Sequence, residues 1–299
     1  MTSSDSTYKW PLQFNIVATA VAFSPSAKAN LFESSRIAKM LNASMILIHV
    51  GYKTPTTEQK LNELISEVGI PNDMYTISWR SGDPTDAILN ACTEENVDLL
   101  IAGALQKENL AQYYKGSIAR KLSRKASCSL LLLTHPEIES RQCNNVMVNG
   151  LKHPKTADTI KMAVFMANLF KSNQLTVVEE VEPKKIKNRA DDDISVVKAS
   201  REKASIERIE KKRLQDILQD VPMDVNLKIK DKIIFGKPGY TIGHFAEKNS
   251  VDLLVLNSPD TKLGIFDRVF THNLEYILSD LPTDLLIVHT TKKMIHGSA

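Results

Sequence analysis

The sequence predicts an α/β protein with two tandem doubly wound units, each a five-stranded parallel sheet covered by helices on both faces. Strand-sized apolar runs alternate with amphipathic helical patterns along the chain, which is typical of parallel sheets. A pattern in the first half recurs about 154 residues later, as expected of a tandem duplication. The longest apolar runs are far shorter than the roughly 20 residues of a membrane helix.

Composition narrows the class of protein. The 299 residues suit two domains, and 42% hydrophobic with 24% charged residues is ordinary for a globular chain. The net charge of +3 lacks the basic excess of a nucleic-acid-binding domain, so no nucleic-acid partner is expected. The polar N-terminus has no signal-peptide core, and three cysteines cannot build a disulfide framework. We therefore expect a cytoplasmic protein with no membrane association.

The internal repeat is carried by two matching pairs of segments. Gly82–Pro84 precedes Val97–Leu100 in the first half, and Gly236–Pro238 precedes Val251–Leu254 in the second. The polar stretch 136–144 lies between the two halves. These features predict a first domain at residues 1–140 and a second at residues 141–299.

The second domain is longer because of a charged segment. An extended charged helix is predicted over residues 196–219, and its end, Glu210–Leu218, resembles Glu58–Ile65 of the first domain. The leucine-rich strands Leu130–Leu133 and Leu285–Val288 are candidates to pair within one chain, which would form an intramolecular pseudo-dimer and cover two sheet edges. Further self-association into a homodimer is an open alternative.

Each domain follows the same order of elements. In the first they are strand Phe14–Ala20, a helix opened by Ser24 and Pro25, strand Met45–Val50, helix Leu61–Val68, strand Met74–Trp79, a helix capped by Asp83 and Pro84, strand Leu99–Ala102, a helix from Gly116 and strand Ser129–Leu133. In the second they are strand Val146–Asn149, helix Pro154–Lys171, strand Leu175–Val181, the charged helix, strand Leu227–Phe235, helix Tyr240–Lys248, strand Asp252–Leu256, helix Asn273–Leu281 and strand Leu285–His289.

The loop after the fourth strand carries the clearest functional pattern. It contains Gly103-Ala104-Leu105-Gln106, nine further residues and then Gly116-Ser117. A glycine lets the backbone approach a phosphate closely. A glycine and a hydroxyl at the start of a helix present N–H groups that favour an anion. The pattern therefore indicates phosphate binding beyond the carboxyl end of this strand.

This loop resembles the G-x2-G-x9-G-[ST] motif of nucleotide-binding members of the universal stress protein family. The resemblance extends to Phe23-Ser24-Pro25, His49-Val50 and the Gly82-x-Pro84 turn, and it covers the chain as two tandem copies. It implies a universal stress protein-like, adenine nucleotide alpha hydrolase-like fold. It also implies ATP or another adenine nucleotide as cofactor in the first domain only, with no metal.

The implied cofactor-binding residues depart from the family pattern at two positions. Gln106 stands where the family has its second glycine, where a glycine-only backbone would cost roughly 1 kcal/mol or more. Ala22 stands where the family has an acidic residue beside the adenosine. Whether these departures abolish nucleotide binding stays open. The implied residues are Gly103, Ala104, Gln106, Lys107, Gly116, Ser117, Ala22 and Val50.

The second copy departs further from the motif. Asn257 and Asp260 replace the first two glycines, Thr271-His272-Asn273 replaces the last glycine and hydroxyl, and Leu151 replaces the acidic residue. Asp260 would repel a triphosphate, so no ATP is expected there.

The resemblance implies a non-catalytic regulator of the stress response that acts through a protein partner, with no catalytic residues. Its mechanism would be a ligand-dependent shift between states of the Gly103–Ser117 loop. Two alternatives stay open. One is a binding protein for a non-nucleotide small molecule in the second crevice, using Asn257, His272 and Asn273. The other is a weak ATPase using Glu108. The stress, the partner and the pathway are not determined by the sequence.

Overall fold

The computed structural model describes residues 8–104, 117–139, 141–183, 193–219, 221–259, 274, 276–278, 281 and 283–289. The described residues divide into two compact units. One unit contains those of 13–142 and 256–289, and the other contains those of 8–12 and 143–255.

The first unit has a predominantly parallel sheet. Its strand order is β3-β2-β1-β4-β5-β10, and only β10 runs antiparallel, pairing Leu285 with Leu132. Its elements are β1 Ile16–Ala20, α1 Ala27–Leu41, β2 Ser44–Val50, α2 Pro55–Val68, β3 Tyr75–Arg80, α3 Pro84–Glu94, β4 Leu99–Gly103, α4 Ser117–Lys125, β5 Ser129–Leu133 and β10 Asp284–Val288.

The second unit has a parallel sheet of order β9-β6-β7-β8. Its elements are β6 Asn145–Asn149, α5 Thr156–Leu169, β7 Gln174–Val181, α6 Asp193–Leu218, β8 Lys228–Phe235, α7 Tyr240–Lys248 and β9 Leu253–Asn257, whose last residues belong to the first unit. Trp10 belongs to the second unit because its ring packs edge-on against Phe165 of α5, with centroids 5.3 Å apart.

The two halves of the chain repeat the same strand arrangement, which confirms the predicted α/β fold. β1 lies between β2 and β4 and pairs Val17 with Leu99, while β6 lies between β7 and β9 and pairs Val146 with Leu253. These registers align the halves residue by residue.

In each half, an aspartate just before the fourth strand accepts two backbone hydrogen bonds from the start of the first strand. Asp98 Oδ2 accepts hydrogen bonds from two successive backbone N–H groups that lead into β1, at 2.9 and 3.0 Å. Asp252 Oδ2 accepts from the backbone N–H groups of Asn144 and Asn145, at 2.8 and 2.9 Å. The aspartate of the repeated sequence pattern therefore ties the start of the first strand to the start of the fourth.

The predicted starts of α1 and α5 are each wrong by two residues, and that of α2 is wrong by six, because α2 begins at Pro55 after the capping residue Thr54 rather than at Leu61. Helix α1 begins at Ala27 rather than at Pro25, and α5 begins at Thr156 rather than at Pro154. In both halves a tight turn precedes the helix, because Ala27 N–H donates to the Ser24 carbonyl and Thr156 N–H donates to the His153 carbonyl, each at 3.0 Å. The Ser-Pro and His-Pro pairs form this turn instead of opening the helix.

The inserted length of the second half is largely helical, as predicted. Helix α6 runs from Asp193 to Leu218, 26 residues, and it is considerably longer than α2, its counterpart in the first half. In the part of the chain that the structure describes, no helix is both long and apolar enough to cross a bilayer.

Candidate functional site

A cavity of about 390 Å³ opens at the carboxyl ends of β1, β2 and β4. The chain leaves β1 toward β2 on one side and returns from β3 to β4 on the other, so this edge is a topological switch point, where open α/β sheets bind ligands. Its lining comes from 19–24, 26–27, 30–31, 48–50, 84, 88, 102–104, 118–119 and 122.

Four of the sequence-predicted site residues lie together in this lining: Ala22, Val50, Gly103 and Ala104. Ser117 is the first residue of α4, and its side chain lies outside the described part of the structure. Gln106, Lys107 and Gly116 also lie outside the described residues, so their predicted contacts with a phosphate stay predictions. The same holds for Glu108.

The cavity lining is chemically neutral. Among its described residues none is aspartate, glutamate, lysine or arginine, and His49 is the one titratable side chain. His49 is buried, and its Nδ1 lies 3.0 Å from the Val21 carbonyl oxygen. Its ring packs between Phe23 and Trp79, at centroid distances of 4.8 and 5.1 Å. His49 is thus held in place by the fold, with one ring nitrogen engaged.

Two polar oxygens of the lining have no hydrogen-bond partner among the described residues. They are Oγ1 of Thr19, a residue 1% exposed, and Oδ1 of Asn30. The other end of the Asn30 amide donates to Ser26 Oγ at 3.2 Å. Sequence reasoning missed both residues. The available signal was a threonine within an otherwise apolar strand and an asparagine on the inward face of a helix.

The amide of Asn30 also explains the glycine at position 103. A Cβ on Gly103 would lie 2.6 Å from Asn30 Nδ2 and 2.8 Å from Oδ1, which is closer than van der Waals contact allows. Gly103 is not among the described residues with positive φ, so its backbone angles alone would tolerate a side chain. Packing against Asn30 of helix α1 is thus one physical reason for a glycine here, and the predicted close approach of a phosphate to Gly103 stays a prediction.

The equivalent crevice of the second half has charged residues at its core. In the aligned registers Glu179 takes the place of His49, and Glu180 takes the place of Val50. Both glutamates are buried, at 3% and 8% exposure. Buried carboxylates need compensating partners, and this half supplies them from two different elements.

The first partner is Arg213 of α6. Its Nη2 donates to the Gly150 carbonyl and, at 2.9 Å, to Glu179 Oε2, while its Nε donates to Glu210 at 2.7 Å. Gly150 corresponds to Val21, whose carbonyl contacts His49 in the first half. In the first half the imidazole of His49 contacts this backbone carbonyl, and in the second half the guanidinium of Arg213 contacts its equivalent. The space beside Gly150 is therefore filled by a side chain of α6.

The second partner is the N-terminus of α7. Glu180 Oε1 accepts from the N–H groups of Ile242 and Gly239, at 2.8 and 3.1 Å. Burial raises the pKa of Glu180 to about 7, and these two hydrogen bonds oppose the shift. In the first half Asp83 caps α3 instead, accepting from two N–H groups of its first turn. Lys237 replaces that aspartate here, so a distant glutamate supplies the cap.

Other predicted residues of the second crevice are only partly described. Leu151 and Asn257 lie within the described structure, and Asn257, at the position of Gly103, is buried. Asp260 and Thr271-His272-Asn273 lie outside it, so their predicted effect on ATP stays a prediction. Within the described ranges, no three histidine, cysteine, aspartate or glutamate side chains cluster as they would around a metal ion.

Comparison with known proteins supports the fold and, for the first half, the family. Residues 13–134 match the model of the Universal stress protein family. No curated protein sequence is significantly similar to the chain.

Similar solved structures cover nearly the whole chain. A functionally unknown protein from Pseudomonas aeruginosa PAO1 is 15% identical, with a TM-score of 0.66 and 92% of each chain covered. A putative universal stress protein from Pseudomonas aeruginosa UCBPP-PA14 is 17% identical, with a TM-score of 0.65 over 92% of this chain and 93% of that one.

A universal stress protein from Archaeoglobus fulgidus DSM 4304 is 12% identical, with a TM-score of 0.61 over 95% of this chain and 99% of that one. Identities this low show a shared fold, which here extends through both halves. Residues 13–134 are therefore similar in sequence to the universal stress protein family, and the whole chain has the tandem fold of these solved structures.

Proposed function

We propose that this protein is a non-catalytic, ligand-dependent regulator whose first half binds one adenine nucleotide and whose bound state is recognised by a protein partner. One observation carries the proposal: the cavity at the switch point is lined by Gly103 and Ala104 of the glycine motif together with two more of the sequence-predicted site residues, Ala22 and Val50. They come from three different strand ends, so the fold has assembled them at one place.

The size and chemistry of the cavity suit this ligand. A volume of about 390 Å³ is within the range of small-molecule sites. The uncharged lining suits the adenine and ribose of a nucleotide. Helix α4 begins at Ser117, and the N–H groups of a helix start attract the phosphates. Lys107 of the same motif would add a positive charge.

The described lining supports a binding role rather than catalysis. Hydrolysis of a phosphoanhydride needs a general base and usually a metal-binding carboxylate. The described lining contains no carboxylate that could hold a metal ion, and the ring of its one titratable group, His49, is fixed by the Val21 carbonyl and by two aromatic neighbours. A regulatory ligand instead acts by binding one conformational state more tightly than another, which shifts their populations.

The second half supports a stoichiometry of one ligand per chain. Arg213 already fills the position between Gly150 and Glu179, and Glu180 is committed to the start of α7. These contacts disfavour the alternative of a small-molecule site in this crevice. We further propose a cytoplasmic location, which suits the cysteines at 92, 128 and 143, none of which forms a disulfide.

The proposal is tested by identifying what the protein carries. Freshly purified protein is denatured, the released small molecules are identified by mass spectrometry, and stripped protein is titrated with ATP by calorimetry. We expect one adenine nucleotide per chain and a loss of affinity in Gly116→Asp and Ser117→Ala. Asn273→Ala is the matched control in the second half and should bind ATP as the wild type does. Absence of released nucleotide and of heat at millimolar ATP would refute the proposal.

A further inference from the structure

We propose that Thr19 and Asn30 form a recognition subsite in the cavity of the first half, for neutral groups of a nucleoside that donate hydrogen bonds. Such groups are the ribose hydroxyls and the exocyclic amine of adenine. The inference rests on the proposed function and names the residues that select the ligand.

Thr19 and Asn30 each have a buried side-chain oxygen that lacks a hydrogen-bond partner in the described part of the chain. Buried oxygens are almost always hydrogen-bonded in folded proteins. Thr19 Oγ1 and Asn30 Oδ1 are both buried, both belong to the cavity lining, and neither has a partner among the described residues. Two unsatisfied acceptors in one cavity indicate that the missing donors come from whatever occupies it.

The described lining of the cavity has few groups that could carry charge. It holds no aspartate, glutamate, lysine or arginine, and its one titratable side chain, His49, has Nδ1 3.0 Å from the Val21 carbonyl oxygen, so this part of the site offers no permanently charged side chain to pair with a charged group. Charged groups are costly to bury without a partner, whereas hydroxyl and amine donors match neutral acceptors. The occupant of this region is therefore the uncharged part of the ligand. Ala22, at the cavity rim, offers no side-chain acceptor that could compete for this task.

The second half has no unsatisfied acceptor at the two positions equivalent to Thr19 and Asn30, both of which are described. In the aligned registers, Val148 takes the place of Thr19, and Thr159 takes the place of Asn30. Thr159 is fully buried, and its hydroxyl donates to the Lys155 carbonyl at 3.1 Å. In the second half, where Arg213 fills the crevice, positions 148 and 159 have no unsatisfied acceptor. In the first half, which has the cavity, Thr19 and Asn30 each have one.

The second half also supplies the test variants. Thr19→Val and Asn30→Thr introduce the residues that the repeat itself carries at these positions, and Thr19→Val is nearly isosteric. Ser34→Ala is the matched control, because Ser34 Oγ is also buried on α1 without a partner in the described structure but lies outside the cavity lining. The variants are titrated with adenosine and with ATP, and their melting temperatures are measured without ligand.

We expect Thr19→Val and Asn30→Thr to weaken adenosine and ATP by the same factor, about three- to tenfold each, as the loss of a neutral hydrogen bond predicts. Without ligand, Thr19→Val should melt at or above the wild-type temperature, because it removes an unsatisfied buried hydroxyl. A loss of affinity without a loss of stability distinguishes recognition from a structural role. Ser34→Ala should leave both affinities unchanged.

Two outcomes would overturn the subsite, and they separate it from the proposed function. If ATP binds but adenosine does not, or if both variants bind ATP as tightly as the wild type, the subsite is wrong and the nucleotide site stands. If neither adenosine nor ATP binds at millimolar concentration, both proposals fail together.

Discussion

The side-chain amide of Asn30 occupies the space that a Cβ atom would need at Gly103, with Nδ2 only 2.6 Å from that position. A side chain at the end of β4 would therefore require the Asn30 amide on α1 to move. The aligned registers place Thr159 and Asn257 at the same two positions of the second half. In the second half the amide side chain, Asn257, is on strand β9 and the shorter side chain, Thr159, is on helix α5. Each half therefore has one amide at this pair of positions, on the helix in the first half and on the strand in the second.

This relationship predicts that Gly103→Ala destabilises the protein and that Asn30→Ala restores stability. The added methyl must displace the Asn30 amide, and overpacking of this kind costs about 1–3 kcal/mol. Because the backbone of Gly103 does not have positive φ, the cost comes from this contact and not from the dihedral angles. Urea unfolding of the single and double variants measures the coupling. Purely additive effects would show that the contact does not explain the glycine.

The paired aspartates predict equal effects in the two halves. Asp98→Ala and Asp252→Ala each remove an ionised acceptor of two backbone N–H groups. We expect each to lower the free energy of unfolding by about 2–4 kcal/mol, since hydrogen bonds to charged groups contribute more than neutral ones. The exposed Asp73 is the control for loss of charge, and Asp73→Ala should stay within about 0.5 kcal/mol of the wild type. A large loss in only one half would contradict the equivalence.

The buried carboxylate of Glu180 predicts a pH-dependent stability. Its pKa is raised from 4.5 to about 7 in the folded protein, so the folded state holds this proton more tightly than the unfolded state. Its contribution to stability is therefore fully present below pH 4.5 and is lost as the pH rises toward 7. The whole effect is on the order of 3 kcal/mol.

The variant Glu180→Gln tests this directly. Glutamine keeps an oxygen to accept from Ile242 and Gly239 but cannot ionise. We expect the variant to be less sensitive to pH than the wild type and more stable than it at pH 8. The measurement is urea unfolding of both proteins between pH 4 and pH 8. Parallel stability curves across this range would show that Glu180 does not titrate there.

The contact between Arg213 and Glu179 predicts a large loss of stability when the arginine is removed. Arg213→Ala leaves a buried carboxylate at position 179 without its guanidinium, which typically costs about 3–5 kcal/mol. Adding Glu179→Gln to this variant should recover part of the loss, because the group left behind is then neutral. Thermal and urea unfolding measure both effects. An Arg213→Ala protein as stable as the wild type would mean that the pair does not hold α6 to the sheet.

Sequence patterns predicted most of the fold because the relevant signals are local. The aspartate that caps α3, the apolar strands and the recurring pattern around Asp98 and Asp252 all appear at their predicted places. The starts of α1 and α5 were wrong because a Ser-Pro or His-Pro pair suits both a helix start and a preceding turn. The turn is distinguished from a helix start by the hydrogen bond to the carbonyl of Ser24 or His153, and this bond forms because of the direction in which the chain leaves the preceding strand.

The sequence by itself determined that this protein is a tandem α/β repeat with a candidate ligand edge, since periodicity and a repeated motif depend only on neighbours along the chain. The tertiary structure decided that the described lining of the cavity has no carboxylate, lysine or arginine, that the Thr19 and Asn30 oxygens have no partner among the described residues, and that Arg213 fills the second crevice. These features depend on contacts between residues on different elements. Whether a side chain is buried, and whether its polar atoms find partners, depends on these contacts. The spacing of residues within one element cannot predict either property.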